Sequence, residues 1–166
     1  MPSNRNTNPQ NPIDQSDRVY SIEAVLMDPR RRIHFPARLT RGLDWFEKAS
    51  EYLAILKLEE VGRISLLPWR ETAAAIVAKR KELLDKMPDS EVEKALLILE
   101  DRYRELRVDT ESRPTIPESA AVHLCGSGGF DKYVYVVRRA LRLELWSASY
   151  RNEQILSESA LLDGLP

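Results

Sequence analysis

A single cysteine, Cys125, stands in 166 residues, so no internal disulfide can form and no thiolate metal cluster can be built. Such a chain fits a reducing compartment, and Cys125, beside a glycine-rich turn, reads as an inert thiol. Long apolar runs are missing as well: none approaches the length that spans a bilayer. Net charge is scarce, −1 from 25 Lys and Arg against 26 Asp and Glu. No global field therefore draws the protein to nucleic acid, and any such binding must rest on a local patch or on its repetition in an oligomer. The only histidines, His34 and His123, have no neighbouring acid at metal-ligand or triad spacing and read as structural or surface residues. Gly126-Ser127-Gly128-Gly129 lacks the following Lys-Ser/Thr of a phosphate loop and opens no helix. No catalytic residue, metal site, cofactor or small-molecule substrate is expected.

What is present is 43% hydrophobic and 31% charged residues, the balance of a soluble globular protein with one ordinary domain or two small ones. Residues 1–17, rich in Asn, Pro, Gln and Ser, read as a disordered tail without the apolar run of a signal peptide, and a cytoplasmic protein is expected.

The densest chemistry is at Asp28-Pro29-Arg30-Arg31-Arg32, continuing through Pro36 to Arg38 and Arg41: five arginines with no carboxylate after Asp28. Its frame returns at Asp109-Thr110-Glu111-Ser112-Arg113, with Pro117 four residues on, a displacement of 81 positions (109 − 28). Leu43 and Tyr52 recur as Leu124 and Tyr133 at the same offset, whereas Arg63 recurs as Arg142 at 79 (142 − 63). The chain is an internal duplication, and a second hairpin loop shorter by two residues is expected to account for the difference.

Each copy reads as β-β-α-β-β. In the first, alternation predicts strands over Val19–Met27 and Arg32–Phe35, a short helix from Ala37 to Leu43 opened by Pro36, and a hairpin of Tyr52–Leu58 and Arg63–Pro68. In the second, the strand Arg104–Val108, a short strand through Ile116, a helix to Leu124 and the strands Tyr133–Val137 and Leu141–Trp146 repeat that order. Between them the period changes to that of helices. One runs from Trp69 to about Met87 with a mostly apolar stripe of Ala73, Ile76, Val77, Arg80, Leu84 and Met87. The next has Ser90 and Glu93 at capping-box spacing and an apolar face of Val92, Ala95, Leu96, Leu99, Tyr103 and Leu106. Ser147 is placed to cap a last helix that frays from Leu156. The expected divisions are a tail at 1–17, a first repeat at 18–69, a helical hairpin at 70–105, a second repeat at 106–147 and a C-terminal helix and tail at 148–166.

Arg30, Arg31, Arg32, Arg38 and Arg41 on one strand, turn and short helix suit backbone phosphates and bidentate contacts to guanine. A solvated basic edge that discourages strand aggregation is an equal alternative on composition alone. Asp28 and Asp109 read as turn caps that orient an arginine.

The basic strand leading into Pro36-Ala37-Arg38-Leu39 within a β-β-α-β-β unit resembles the AbrB-like swapped-hairpin DNA-binding fold. Two such units, each with Asp-x-x-x-Arg and separated by a helical hairpin, are similar to the MraZ family of bacterial transcriptional regulators over about Val19 to Gln154. The resemblance implies an α+β fold, a pseudo-two-fold duplicated barrel of two AbrB-like units. It also implies a non-enzymatic, nucleoid-associated regulator of a cell-division and cell-wall gene cluster. Such a protein binds double-stranded DNA as a homo-oligomeric ring. DNA-contacting positions carry over to Arg32, flanked by Arg30 and Arg38, and to Arg113.

The chain departs from the family pattern at several positions. Arg31 and Ser112 stand where a glycine precedes each motif arginine, Pro114 follows Arg113 directly, and Thr40 occupies an arginine position beside Arg41. Glu118-Ser119-Ala120-Ala121 replaces basic residues in the second copy. The first repeat is therefore expected to contact DNA and the second to be mainly structural. The competing expectation is an oligomeric scaffold or protein-interaction module of the same fold that has lost DNA binding.

Overall fold

The computed structural model describes residues 21–49, 52–107, 114–128, 132–158 and 162–164. The expected tail at 1–17 lies outside these residues, as do Asp109 and Arg113 of the second motif. The described residues form an α+β fold of six strands and six helices. In the first half these are β1 (Ser21–Met27), the short helices α1 (Ala37–Thr40) and α2 (Asp44–Glu47), and the hairpin β2 (Tyr52–Leu58) and β3 (Arg63–Pro68). Two helices follow, α3 (Trp69–Lys86) and α4 (Asp89–Arg102). The second half is β4 (Tyr103–Arg107), α5 (Glu118–Cys125), the hairpin β5 (Lys132–Arg139) and β6 (Arg142–Trp146), and then α6 (Ala148–Glu158).

All six strands lie in one open sheet in the order β1-β5-β6-β3-β2-β4, and every pairing is antiparallel. Each half gives its first strand to the other: β1 pairs with β5, and β4 pairs with β2. The central pairing of β3 with β6 sets Ser65 opposite Glu144, its own counterpart at the offset of 79. A second contact between counterparts, at the offset of 81, joins Ile33 N–H to the Pro114 carbonyl (3.2 Å) beside an isolated bridge between Arg32 and Thr115. The two halves are thus related by a pseudo-two-fold axis passing through both contacts.

The core follows from this exchange. Alternation turns Ile64 and Leu66 of β3, and Leu143 and Leu145 of β6, into a single apolar cluster. Phe35 and Ile116, Leu39 and Ala120, and Leu43 and Leu124 enter the same cluster as counterpart pairs. Among the described residues neither half has a separate core.

Several expected elements differ. Arg32–Phe35 makes one bridge and no strand, because Arg31 adopts a left-handed φ of 62° immediately before it and Pro114 opposite has no N–H to extend the ladder. The expected helix Ala37–Leu43 stops at Thr40, followed by Arg41 and by Gly42 at φ 80°, and resumes as α2. Pro88, with φ −58°, starts α4 one residue early, so Ser90 and Glu93 both lie inside the helix and no capping box forms. Tyr103 and Leu106 belong to β4 and not to the helix face. α6 continues through Leu156 to Glu158, with the Tyr150 N–H donating to Ser147 Oγ at its start (3.1 Å).

The offset difference of two also has another origin. The first hairpin turns through residues 60–62 and the second through 140–141, a difference of one residue. The other residue is a bulge in β2 between Tyr52 and Ala54, where its register with β4 shifts.

Candidate nucleic-acid interface

The turn at Asp28 is closed on itself. Arg31 N–H donates to the Asp28 carbonyl (2.8 Å) and Asp28 N–H to the Arg32 carbonyl (3.1 Å). The carboxylate completes the turn: Oδ1 accepts from the N–H groups of Arg30 and Arg32 (both 2.9 Å), and Oδ2 accepts from Arg32 Nε (2.6 Å). These donors, the Arg32 N–H foremost, hold the Asp28 carboxyl below its usual range against the opposing effect of burial. Asp28 therefore orients Arg32 through one edge of the guanidinium. The terminal amino groups of Arg32 make no hydrogen bond among the described residues.

The other basic residues differ in how they are held. Arg30 and Arg41 are exposed, and their side chains make no hydrogen bond or ion pair among the described residues. Arg38, on the exposed face of α1, donates from Nε to Glu23 (2.6 Å) and from Nη2 to the Ile22 carbonyl (3.3 Å). Arg31 is half-buried, and its Nε donates to the Ile116 carbonyl (3.0 Å). Alternation leaves His34 exposed while Ile33 and Phe35 are buried. Arg30 and Arg32 lie on the Asp28 turn after the end of β1, whereas Arg38 on α1 and Arg41 just past it lie toward the start of β1, beside Ile22, Glu23 and Arg138. Asp109 and Arg113 lie outside the described residues.

Arg138 is a further contributor that sequence reasoning passed over. From β5 it donates through Nη1 to the carbonyls of Leu39 (3.1 Å) and Arg41, and through Nε to Ala140 (2.8 Å). Burial lowers its pKa. It closes the end of α1 and fixes the backbone that carries Arg41. Trp45 Nε1 adds a bond to the Leu141 carbonyl (3.2 Å), so the helices of the first half grip the hairpin turn of the second. The reverse grip also exists: Gly62 N–H donates to the His123 carbonyl (3.0 Å), and His123 Nε2–H to the Glu60 carbonyl (2.9 Å). His123 is thereby a structural clamp.

The second half presents a different surface at the equivalent place. Arg38 and Glu23 correspond to Ser119 and Arg104 at the offset of 81, and Arg104 Nε donates to Ser119 Oγ (2.9 Å). The contact is preserved with the cation moved from helix to strand. There Arg104 also donates to the carbonyls of Glu100 and Tyr103 and to Asp101. The helix α5 consequently shows Glu118, Ser119 and Val122 to solvent.

No protein-family model matches the sequence, and no curated protein matches it significantly.

Other polar features of the described residues are structural in geometry. On the sheet face beneath α6, Arg63 binds Glu60 (2.7 Å) and the buried Glu144 (2.8 Å), which also accepts from Trp146 Nε1 (3.3 Å). Burial would lower the Arg63 pKa, but the two carboxylates outweigh it and raise it. A cleft of about 700 Å³ between the end of α5 and the start of α6 includes Cys125, whose thiol pKa is pushed up by burial. No group of three potential metal ligands occurs among the described residues, and no described helix is long and apolar enough to cross a membrane.

Proposed function

We propose that this protein is a sequence-specific DNA-binding transcriptional regulator of the MraZ type, acting in the cytoplasm at the nucleoid, with its first repeat the main DNA contact. The observation that carries this reading is the Asp28 turn, which holds Arg32 by one edge and carries the exposed Arg30, with Arg38 and Arg41 toward the other end of β1. Arginines so placed suit phosphate oxygens and the O6 and N7 of guanine. The exchange of β1 and β4 between the halves supports a pair of AbrB-like swapped hairpins. Resemblance to the family supports control of a cell-division and cell-wall gene cluster.

Affinity for a duplex carrying the region upstream of its own gene should fall steeply with salt, as counterion release requires. Arg32→Ala should weaken binding much more than Arg113→Ala, and equal losses would remove the asymmetry between repeats. Ring assembly has support in the apolar side chains exposed on α3 and α4, Val77 (63%), Leu84 (58%) and Leu97 (61%). A monomer by light scattering at micromolar concentration would overturn it.

The same exposed hairpin favours a second reading, an oligomeric scaffold of this fold without DNA binding. Absence of duplex binding even at low salt would select it.

A further inference from the structure

We propose that Arg31 is a positioning residue of the DNA-contacting turn and not one of its DNA contacts, and that through it the second repeat braces the first. This rests on the DNA-binding reading above. The chain at Arg31 is left-handed, φ 62°, and its half-buried side chain crosses to the other half of the molecule. Nε donates to the Ile116 carbonyl (3.0 Å), while Ile116 N–H donates to the Arg31 carbonyl (2.8 Å). Two residues 85 positions apart are therefore joined in both directions.

The side-chain bond stands where the backbone is short of a donor. Ile33 N–H reaches the Pro114 carbonyl (3.2 Å), but Pro114 has no N–H with which to complete the pair. Arg31 adds a donor one turn of the pleat away and restores a third bond between segments 31–33 and 114–116. The two neighbouring arginines are held differently: Arg30 is exposed and Arg32 is fixed within its own turn by Asp28. The turn is thus anchored internally by Asp28 and externally by Arg31. Direct readout needs donors placed to within about 0.5 Å, so loosening the external anchor degrades discrimination between sequences.

Glutamine separates the two roles. Its amide nitrogen lies the same number of bonds from the backbone as arginine Nε, so Arg31→Gln keeps the donor and removes the charge. Wild type, Arg31→Ala and Arg31→Gln are titrated with the upstream duplex and with an unrelated duplex of equal length across a salt series. Each affinity is corrected for the folded fraction measured by urea unfolding.

Arg31→Ala is expected to lower affinity for the upstream duplex about tenfold, to change the unrelated duplex little, and to leave the slope of log K against log salt at the wild-type value. Arg31→Gln is expected to recover most of the lost discrimination. The proposal is overturned if Gln behaves as Ala and both reduce the slope by about 0.9, the mark of a lost phosphate contact. It is equally overturned if corrected affinities of the Ala variant match wild type, which would leave Arg31 with a stabilising role only. Failure of the wild type itself to bind the upstream duplex would overturn the DNA-binding reading first and this inference with it.

Discussion

At the scale of residues, Asp28 and Gly62 carry the clearest consequences. Asp28 accepts three hydrogen bonds, one from a guanidinium, and Asn could supply neither the charge nor a second acceptor oxygen. Asp28→Asn should cost about 1–3 kcal/mol, measured as a lower urea midpoint with an unchanged m-value. Because the folded state lowers the Asp28 pKa, its contribution is full above the ordinary carboxylate range and disappears as pH falls through the folded value. Wild type should therefore lose stability more steeply than Asp28→Asn on acidification below about pH 4, and parallel acid limbs would contradict this. Gly62 is constrained twice: its φ is 91°, and a Cβ there would meet Ser147 Oγ at 2.6 Å and Tyr150 Cβ at 3.0 Å. Gly62→Ala should destabilise by roughly 2 kcal/mol or more, seen in the same unfolding measurement. Arg31, also left-handed, shows that a side chain can be retained in that conformation when it makes a bond glycine could not.

At the scale of elements, α1 is a single turn of helix, too short to persist alone. Leu39 anchors it in the core, and Arg138 satisfies carbonyls at its end. Arg138→Met keeps most of the apolar stem and removes these bonds. The expected result is a loss of about 1–3 kcal/mol, with faster amide exchange concentrated in residues 37–43. Uniform exchange changes across the sheet would argue against a local capping role. The elements also show what local pattern can reveal. β2 and β3 have the bounds expected from their apolar runs, because Gly62 and Pro68 mark their ends chemically. Arg32–Phe35 alternates as well as any strand, yet its pairing depends on Pro114 across the molecule, which no local pattern reports.

At the scale of the molecule, exchange of β1 and β4 makes the two repeats one folding unit. A half alone would lack an outer strand of its sheet and would expose core side chains such as Leu66 or Leu145, each contributing on the order of 2 kcal/mol when buried. Fragments 1–87 and 88–166, produced separately, should each lack a cooperative thermal transition and regain one on mixing. A cooperative, monomeric transition in either fragment would refute the single-core description. Core counterparts differ in size, as in Phe35 and Ile116 or Leu39 and Ala120, but all stay apolar, while the surfaces diverge in charge. Core positions share one cluster and must stay apolar, whereas Arg38·Glu23 and Arg104·Ser119 lie at the surface, where the cation has moved from helix to strand.

The sequence by itself determined the duplication, the order of most elements and the concentration of arginine at the Asp28 turn, since these follow from spacing, periodicity and the chemistry of Asp, Pro and Gly close to one another. Only the tertiary structure decided that the halves exchange strands, that the lost two residues divide between a turn and a bulge, and that Arg31 and Arg138 turn inward to carbonyls of the opposite half while Arg30 and Arg41 remain exposed. The physical reason is range. A side chain's local propensity is set by its neighbours along the chain, but the partner of a guanidinium is set by backbone that folding brings from 85 or 99 residues away.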